Sequence, residues 1–338
     1  HSPGWGLPMK DGAERLLASV IIPTHERCSS LLRALDRLGR QSLPAGALEV
    51  VVVADGCTDD TVACARAFAA PYRLIVLEQP ASGPAAARNA GAAAAAAPLL
   101  VFMDDDIAPD TGFVAAHLSA HDDAGDRVVI GALPPVLAAQ RGLFREVLAG
   151  WWQRMFAVMA EPGHVFTHTD LLTGNVSLPA ALFQRLGGFD ESLRCHEDYE
   201  FGIRLLAAGA RLRFEPAAWG HHHEHTDFAR ALRRKRDEGR ADVMIGRKHP
   251  TLIPQLPLAR YRGTDHRLLR LLAFLGPGLG DGLARLGPVL MAAAERLDRR
   301  GAWQRLCDLL LGYWYWRGVA GELGRLGRLR RFLALERV

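Results

Sequence analysis

Three consecutive carboxylates, Asp104, Asp105 and Asp106, follow directly on the apolar run Leu99 to Met103. Carboxylates gathered at a strand end repel one another unless a cation or a set of hydrogen-bond donors holds them. Asp104 and Asp106 alternate along an extended backbone, so both can face one crevice and bind Mg²⁺ or Mn²⁺ together with phosphate oxygens. A solvated acidic turn is the alternative. Two further groups could do chemistry. Glu197 and Asp198 head an apolar-periodic run, where the free backbone N–H groups and dipole of a helix start favour a carboxylate, either as a cap or as a general base. The run His221 to His225, four imidazoles around Glu224, offers ligands for a Mn²⁺-class metal or a solvated loop. It is not a zinc finger, because no Cys or His pair lies at finger spacing.

The elements that must position these groups read as alternating strands and helices. Ala18 to Pro23, Glu49 to Ala54, Arg73 to Leu77 and Leu99 to Met103 are short apolar strands. Helices follow at Leu31 to Leu38, Thr58 to Ala70 and Gly83 to Ala97, the last rich in alanine, the best helix former. That alternation predicts an α/β fold with a mostly parallel sheet, whose ligands bind outside the carboxyl ends of the strands. Polar residues fall at those ends. Pro23 and Thr24 follow the first strand; Asp55 follows the second and could meet a base or ribose. Arg88 lies on the helix after the third, its planar fork suited to a diphosphate. Asp55 as a turn cap and Arg88 as a surface residue are the plain readings. Farther on, Val128 to Leu133, Leu171 to Leu178 and Arg211 to Phe214 read as strands. Arg141 to Met159 and Asp198 to Ala208 read as helices, and everything from Phe228 onward as helical. Trp151 and Trp152, on the first of those two helices, either stack on a sugar ring or belong to the core.

Composition is that of a folded protein: 23% charged, 49% in the hydrophobic set, net charge +4 over 338 residues. The two N-terminal thirds lack the basic, aromatic-rich patch of a nucleic-acid binder, which excludes that partner class. Five scattered cysteines, odd in number, predict no disulfide framework and suit a reducing cytoplasm. His1 to Lys10 lacks the pattern of a secretion signal, and no stretch is apolar for the roughly 18 residues of a spanning helix.

The stretches Val20 to Thr24, Val51 to Asp59, Gly83 to Gly91 and Phe102 to Asp106, followed by Thr173 to Leu178, Gly187 to Glu191 and His196 to Leu205, resemble the family 2 glycosyltransferases of the GT-A fold. The resemblance runs from about residue 18 to 225. It implies inverting, metal-dependent transfer of a sugar from a nucleotide-diphosphate sugar, UDP by family frequency, to a hydroxyl acceptor on a glycan, lipid or small molecule. It implies that Pro23, Thr24, Glu26 and Asp55 line the nucleoside, that Arg88 sits by the diphosphate, and that Asp104 and Asp105 lie beside it. Asp106 becomes the direct ligand of Mn²⁺ or Mg²⁺, with His221 or His223 as its partner, and Asp198 the base. Trp151, Asn175, Asp190 and Glu197 flank the acceptor. Two departures stand out: Ala54-Asp55 replaces the usual acidic pair, and Glu26 stands where Asn is common.

The expected organisation is an N-terminal extension over 1–17, a nucleotide-sugar-binding half over 18–122, an acceptor-binding and catalytic half over 123–227, and a helical region over 228–338. A sugar nucleotidyltransferase and a non-catalytic carbohydrate-binding module are the rival readings. The first would need a lysine- and glycine-rich loop where Thr24 to Arg27 stands. In the tail, Leu268 to Leu275 and Leu306 to Trp316 with Arg325, Arg328, Arg330 and Arg331 suggest a peripheral contact with the inner face of a membrane. Packing on the catalytic domain or in a homo-oligomer is the alternative.

Overall fold

Strand and helix alternate as the apolar runs require, beginning with β1 (Ala18–Thr24), α1 (Cys28–Leu38), β2 (Leu48–Asp55), α2 (Thr61–Ala67), β3 (Arg73–Gln79), α3 (Pro84–Ala94) and β4 (Leu99–Met103). The structure, a computed structural model, describes residues 15–121, 125–136, 142–261, 264–275 and 278–334. Of the expected extension 1–17, residues 1–14 therefore lie outside the described residues. The described residues form two compact units. One comprises those of His1–Gln140, Val147–Ser192 and Glu197–Glu224; the other comprises those of Arg141–Glu146, Leu193–His196 and His225–Val338.

The first unit is built on an eight-stranded sheet. After β4 come β5 (Ile107–Pro109), α4 (Phe113–Ala120), β6 (Arg127–Ala132), α5 (Leu143–Met159), β7 (Asn175–Pro179), α6 (Ala180–Arg185), α7 (Glu197–Ala207) and β8 (Arg211–His222). The strand order is β3-β2-β1-β4-β7-β6-β8-β5. The four strands β3, β2, β1 and β4 pair in parallel, Val20 opposite Val50 and Val101, so all their carboxyl ends lie at one edge. The side chains of β1, β2 and β4 are buried on both faces, as a covered parallel sheet demands, while edge strand β3 is only half-buried. β7 runs antiparallel between β4 and β6, and β5 antiparallel to β8, which makes the sheet mixed but mostly parallel. The small residues of α3 allow it to lie close on the sheet: a Cβ at Gly91 would fall 2.5 Å from Ile21 Cγ2.

Two differences from the sequence reading matter for the site. The strand expected to end at Phe214 continues to His222, because β6 and β5 both pair with it. The strand expected from Leu171 begins only at Asn175.

The second unit is helical: α8 (Phe228–Lys248), α9 (Pro257–Arg260), α10 (Thr264–Phe274), α11 (Leu279–Arg296), α12 (Arg300–Leu323) and α13 (Leu326–Leu333). α8 and α12 cross with their backbones in contact. A Cβ at Gly239 would fall 2.1 Å from the Tyr315 carbonyl oxygen, and one at Gly318 would fall 1.9 Å from that of Arg236. Buried Asp242 accepts from Tyr315 Oη at 2.5 Å and lies 3.0 Å from His196 Nδ1. The expectation that Leu306 to Trp316 form a surface is corrected here: Cys307, Leu310, Tyr313, Tyr315 and Trp316 are buried, because α12 is the helix around which α8, α10 and α11 pack. No described helix is long and apolar enough to cross a membrane.

Candidate active site

At the end of β4 each of the three carboxylates finds a guanidinium, Arg88 for Asp104 and Arg27 for both Asp105 and Asp106. Asp104 Oδ1 accepts from Arg88 Nη2 at 2.7 Å. Asp105 Oδ2 accepts from Thr24 Oγ1 at 2.7 Å and its Oδ1 from Arg27 Nη1 at 2.8 Å. Asp106 Oδ2 accepts from the same Arg27 nitrogen at 2.9 Å. Like charges are thus separated by cations rather than left to repel. Burial pushes the Asp105 carboxyl up to about 6, with Arg27 pulling the other way. Burial also raises Asp106, opposed chiefly by His222.

Arg88 ties the two halves of the site together. Buried on α3, it donates through Nη2 to Asp104 and through Nη1 to Glu197 Oε1 at 2.8 Å. The head of α7 is thereby held against the end of β4, and the charge of Asp198 acts on the Arg88 guanidinium. Asp198 is half-buried, and its Oδ1 accepts from the Tyr199 N–H at 2.8 Å. Both terminal nitrogens of Arg88 are therefore already used on carboxylates, a different task from the diphosphate contact expected of it. Glu197, expected on the acceptor side, is one of those carboxylates. Arg27, its side chain 24% exposed against 5% for Arg88, is the accessible guanidinium.

On the far side of Asp106 stands His222, its Nε2 3.6 Å from Asp106 Oδ1 and 3.8 Å from Glu224 Oε2. The register pairs Ile107 with His222 and so brings this imidazole beside Asp106. His221, the expected ligand, is corrected: strand alternation turns it to the opposite face, exposed and packed on Trp219. His223 reaches Asp106 through its backbone N–H, 2.9 Å from the Asp106 carbonyl oxygen.

The pair Asp106–His222 fits a divalent ion. Asp106 Oδ1 is buried without a hydrogen-bond partner, as are His222 Nδ1 and Trp152 Nε1. A 3.6 Å gap between a carboxylate oxygen and an imidazole nitrogen is one that metal bonds of roughly 2.0–2.3 Å can bridge. Among the described residues no group of three or more His, Cys, Asp or Glu closes on one point, so the chain supplies an incomplete donor set.

The nucleoside end is shaped by Asp55, whose Oδ1 accepts from Gln79 Nε2 at 2.8 Å and the Ser82 N–H at 2.7 Å, and whose Oδ2 accepts from the Gly83 N–H at 2.8 Å. Gly83 takes φ +98° to turn into α3, a conformation open to glycine. Pro23 is half-buried in β1, and Thr24, at its end, is buried on Asp105. Glu26 points outward, its Oε1 accepting from Thr58 Oγ1 at 2.6 Å.

The four acceptor-side residues are not one group. Asn175 is corrected: fully buried, its carboxamide bonds His117, the Ala132 carbonyl and the Ala218 carbonyl. It holds strands together. Trp151 is exposed and lines a cleft of about 300 Å³ with Arg154, Met155, Val158 and Asp170. Asp190 lines another, of about 260 Å³, with Gly187, Gly188, Phe189, Glu200 and Arg204, while its Oδ1 accepts from Ser192.

Sequence reasoning passed over Arg27 and His222, and of its two readings for Trp152, sugar contact or core, the structure shows the core. Trp152 stacks on Phe156 and sets its edge against His222, ring centroids 5.2 Å apart. The cysteine reading is corrected too: Cys28 and Cys64 form a disulfide between α1 and α2, 36 residues apart, through a helix contact that spacing does not reveal.

Residues 19–170 match the model of the family described as Glycosyl transferase family 2. The chain is 33% identical over 277 residues to validoxylamine A glucosyltransferase of Streptomyces hygroscopicus subsp. jinggangensis, covering 71% of this chain and 63% of that one. It is 29% identical over 284 residues to pre-mycofactocin glycosyltransferase of Mycobacterium tuberculosis, covering 81% and 55%. It thus spans about three-fifths of the length of these relatives. Among solved structures, mannosyltransferase PcManGT from Pyrobaculum calidifontis in complex with GDP-Man and Mn²⁺ superposes with a TM-score of 0.56, at 20% identity and over 92% of this chain and 89% of that one. S. aureus TarS 1-349 in complex with UDP gives 0.54 at 19% identity, over 92% of both. At these identities the structures speak for the fold. The family model over residues 19–170 and the sequence relatives identify a family 2 glycosyltransferase domain in this chain, and the solved structures agree with its GT-A fold.

Proposed function

We propose that this chain transfers a sugar from a nucleotide-diphosphate sugar, a UDP-sugar first, to a hydroxyl acceptor, by a single displacement that inverts the anomeric centre. One observation carries the reading: Arg88 joins Asp104 to Glu197, so the acidic end of β4 and the head of α7 with Asp198 belong to one site. The complexes of the structural neighbours with UDP and with GDP-Man and Mn²⁺ support a nucleotide donor and a divalent ion. Asp106 and His222 would hold that ion, which when bound supplies positive charge to the leaving diphosphate.

The chain's own residues do the rest. Arg27 offers a second positive charge at the mouth of the acidic cluster, where the diphosphate must lie. Asp55 fixes the loop of Ser82 and Gly83 that closes the nucleoside end. Asp198 takes the proton from the acceptor hydroxyl as its oxygen attacks the anomeric carbon on the face opposite the diphosphate. Arg88 keeps the Glu197 carboxylate turned away from that step. Trp151 and Asp190 are the accessible acceptor-side groups.

Thermal unfolding with UDP, GDP, dTDP and CDP, each with and without Mn²⁺, tests the donor site. A ligand at about 100 times its Kd stabilises the fold by roughly 2.7 kcal/mol. One nucleotide should do so only with metal, and the effect should vanish in Asp106→Ala. Asp198→Asn should bind that nucleotide normally yet lose about 10²–10⁴-fold in transfer. No response to any nucleotide would sink the donor reading, transfer by Asp198→Asn at the original rate would sink the base, and pyrophosphate release from a nucleoside triphosphate and a sugar phosphate would mark a nucleotidyltransferase.

A further inference from the structure

We propose that α10, α11 and α13 together form a docking surface for an anionic phospholipid bilayer. The inference is independent of the reaction at the other unit and starts from a helix whose polarity is inverted.

An amphipathic helix normally turns its large apolar side chains inward. α11 does the reverse. Among its described residues, those it buries are small or flexible, Gly280, Ala284, Gly287, Met291 and Ala294, and a Cβ at Gly287 would fall 2.4 Å from Leu310 Cδ1 on α12. Its bulky residues Leu286, Val289, Leu290, with Leu297 just past its end, stand 53% to 71% exposed. Their spacing of three, four and seven residues puts them along one stripe. On α10 and just past its end, Leu268, Leu271 and Leu275 are exposed as well, although Leu269 packs toward α12. Contiguous apolar surface of this kind marks a face that another body covers.

The charge beside the stripes identifies the body. From residue 264 to 334 there are twelve arginines against six carboxylates. Arg267 and Arg270 on α10 and Arg330 on α13 lie close enough that burial and its two neighbours lower the pKa of Arg270, whose guanidinium sits 5.5 Å from the Trp316 ring centroid. Arg285 and Arg296 are exposed along α11. The carboxylates at the end of α11 are already engaged, Glu295 with the Leu143 N–H at 2.9 Å and Asp298 with Arg300 at 3.7 Å. A second copy of the chain in two-fold contact would set this arginine group against itself. A leaflet of anionic lipid offers phosphate oxygens to the guanidiniums at the depth where the leucines enter the acyl boundary.

Flotation of the full chain with vesicles of phosphatidylcholine, with and without phosphatidylglycerol, tests the proposal. Binding should need phosphatidylglycerol and weaken with salt. Leu286→Gln with Leu290→Gln, and separately Arg267→Gln with Arg330→Gln, should each weaken it about tenfold or more. All four positions are solvent-facing or part of the like-charge group, so Tm should hold, and so should any nucleotide-induced shift in Tm. Failure to float with phosphatidylglycerol vesicles would overturn the proposal. So would flotation that neither double variant alters, or a dimer in light scattering that the leucine variant dissociates while vesicle binding persists.

Discussion

Two polar clusters are buried within the same sheet unit, and they handle charge in opposite ways. At the end of β4, Asp104, Asp105 and Asp106 are gathered with Arg27 and Arg88, so that burial is offset by cations. Behind β7, His117 on α4 and His121 at its C-terminal cap are buried with neutral hydrogen-bond partners: His117 Nε2 is 2.8 Å from Asn175 Oδ1, and Ser177 Oγ lies 2.8 Å from His117 Nδ1 and 2.9 Å from His121 Nε2. Burial pulls the two imidazoles down to about 4 and about 3. The histidine cluster pairs its ring nitrogens with neutral groups, whereas the first cluster leaves Asp106 Oδ1 unpaired and retains charge, and it does so where a sheet of this class binds ligands. The difference teaches that the arginines at the β4 end hold charge in place for something outside the protein, whereas the histidines merely close gaps between elements.

The comparison breaks most severely if Arg88 is neutralised. Arg88→Met leaves Glu197 buried without its cation, and removal of one member of a buried ion pair costs about 3–5 kcal/mol. Urea unfolding should register that loss, and adding Glu197→Gln to the variant should recover a large part of it. A loss below about 1 kcal/mol would mean that Arg88 is incidental to the packing of α7.

Acid should expose the other cluster. An unfolded histidine takes its proton near 6.5, but folded His117 takes it only near 4. Its contribution is complete above pH 6.5 and is lost as pH falls towards 4, about 3 kcal/mol by the linkage rule. His121 acts in the same direction. Asp105 acts in the opposite one: its raised value of about 6 makes its contribution complete below the unfolded value and lost as pH rises through 6. Two histidines, opposed by Asp105 and by Asp106, which burial also raises, give a net fall in stability between pH 6.5 and 4, which urea titrations across that window would measure. His117→Gln should flatten the fall by about half. Stability that rises on acidification would show that the imidazoles are not held neutral.

How much of this was legible in the residues follows from what each assignment needed. The acidic strand end needed only local pattern: an apolar run and three aspartates. The mostly parallel sheet followed from strands apolar on both faces, such as Leu48–Asp55. The histidine beside Asp106 needed parity along β8. Parity was lost once the strand was taken to end at Phe214, whereas its pairing with β5 carries it on to His222. Arg27 sits in a loop of irregular backbone, Glu26 at φ +53°, where no periodicity says which way a side chain turns. Asn175 has the residue type of a ligand contact, but its position between β4 and β6 buries it. The Cys28–Cys64 bond needs the packing of α1 on α2. Local chemistry could be read from the sequence; contacts across elements could not.

The finest test of the comparison lies in Arg27. If the β4 cluster holds its charge for an external cation, Arg27 is a resident counter-ion that shares the same carboxylates with it, 2.8 Å from Asp105 and 2.9 Å from Asp106. Arg27→Gln removes one positive charge from the cluster and leaves a shorter, neutral donor. At the effective dielectric of a partly buried site, a unit charge a few ångströms away is worth on the order of 1 kcal/mol or more. Mn²⁺ alone, titrated calorimetrically against the nucleotide-free chain, should therefore bind about tenfold more tightly to Arg27→Gln. Unfolding stability without metal should fall by about 1 kcal/mol as Asp105 and Asp106 lose their partner. Weaker Mn²⁺ binding in the variant would mean that Arg27 shapes the site for the ion rather than standing in for it. The β4 cluster would then be, like the histidines behind β7, an arrangement complete without any ligand.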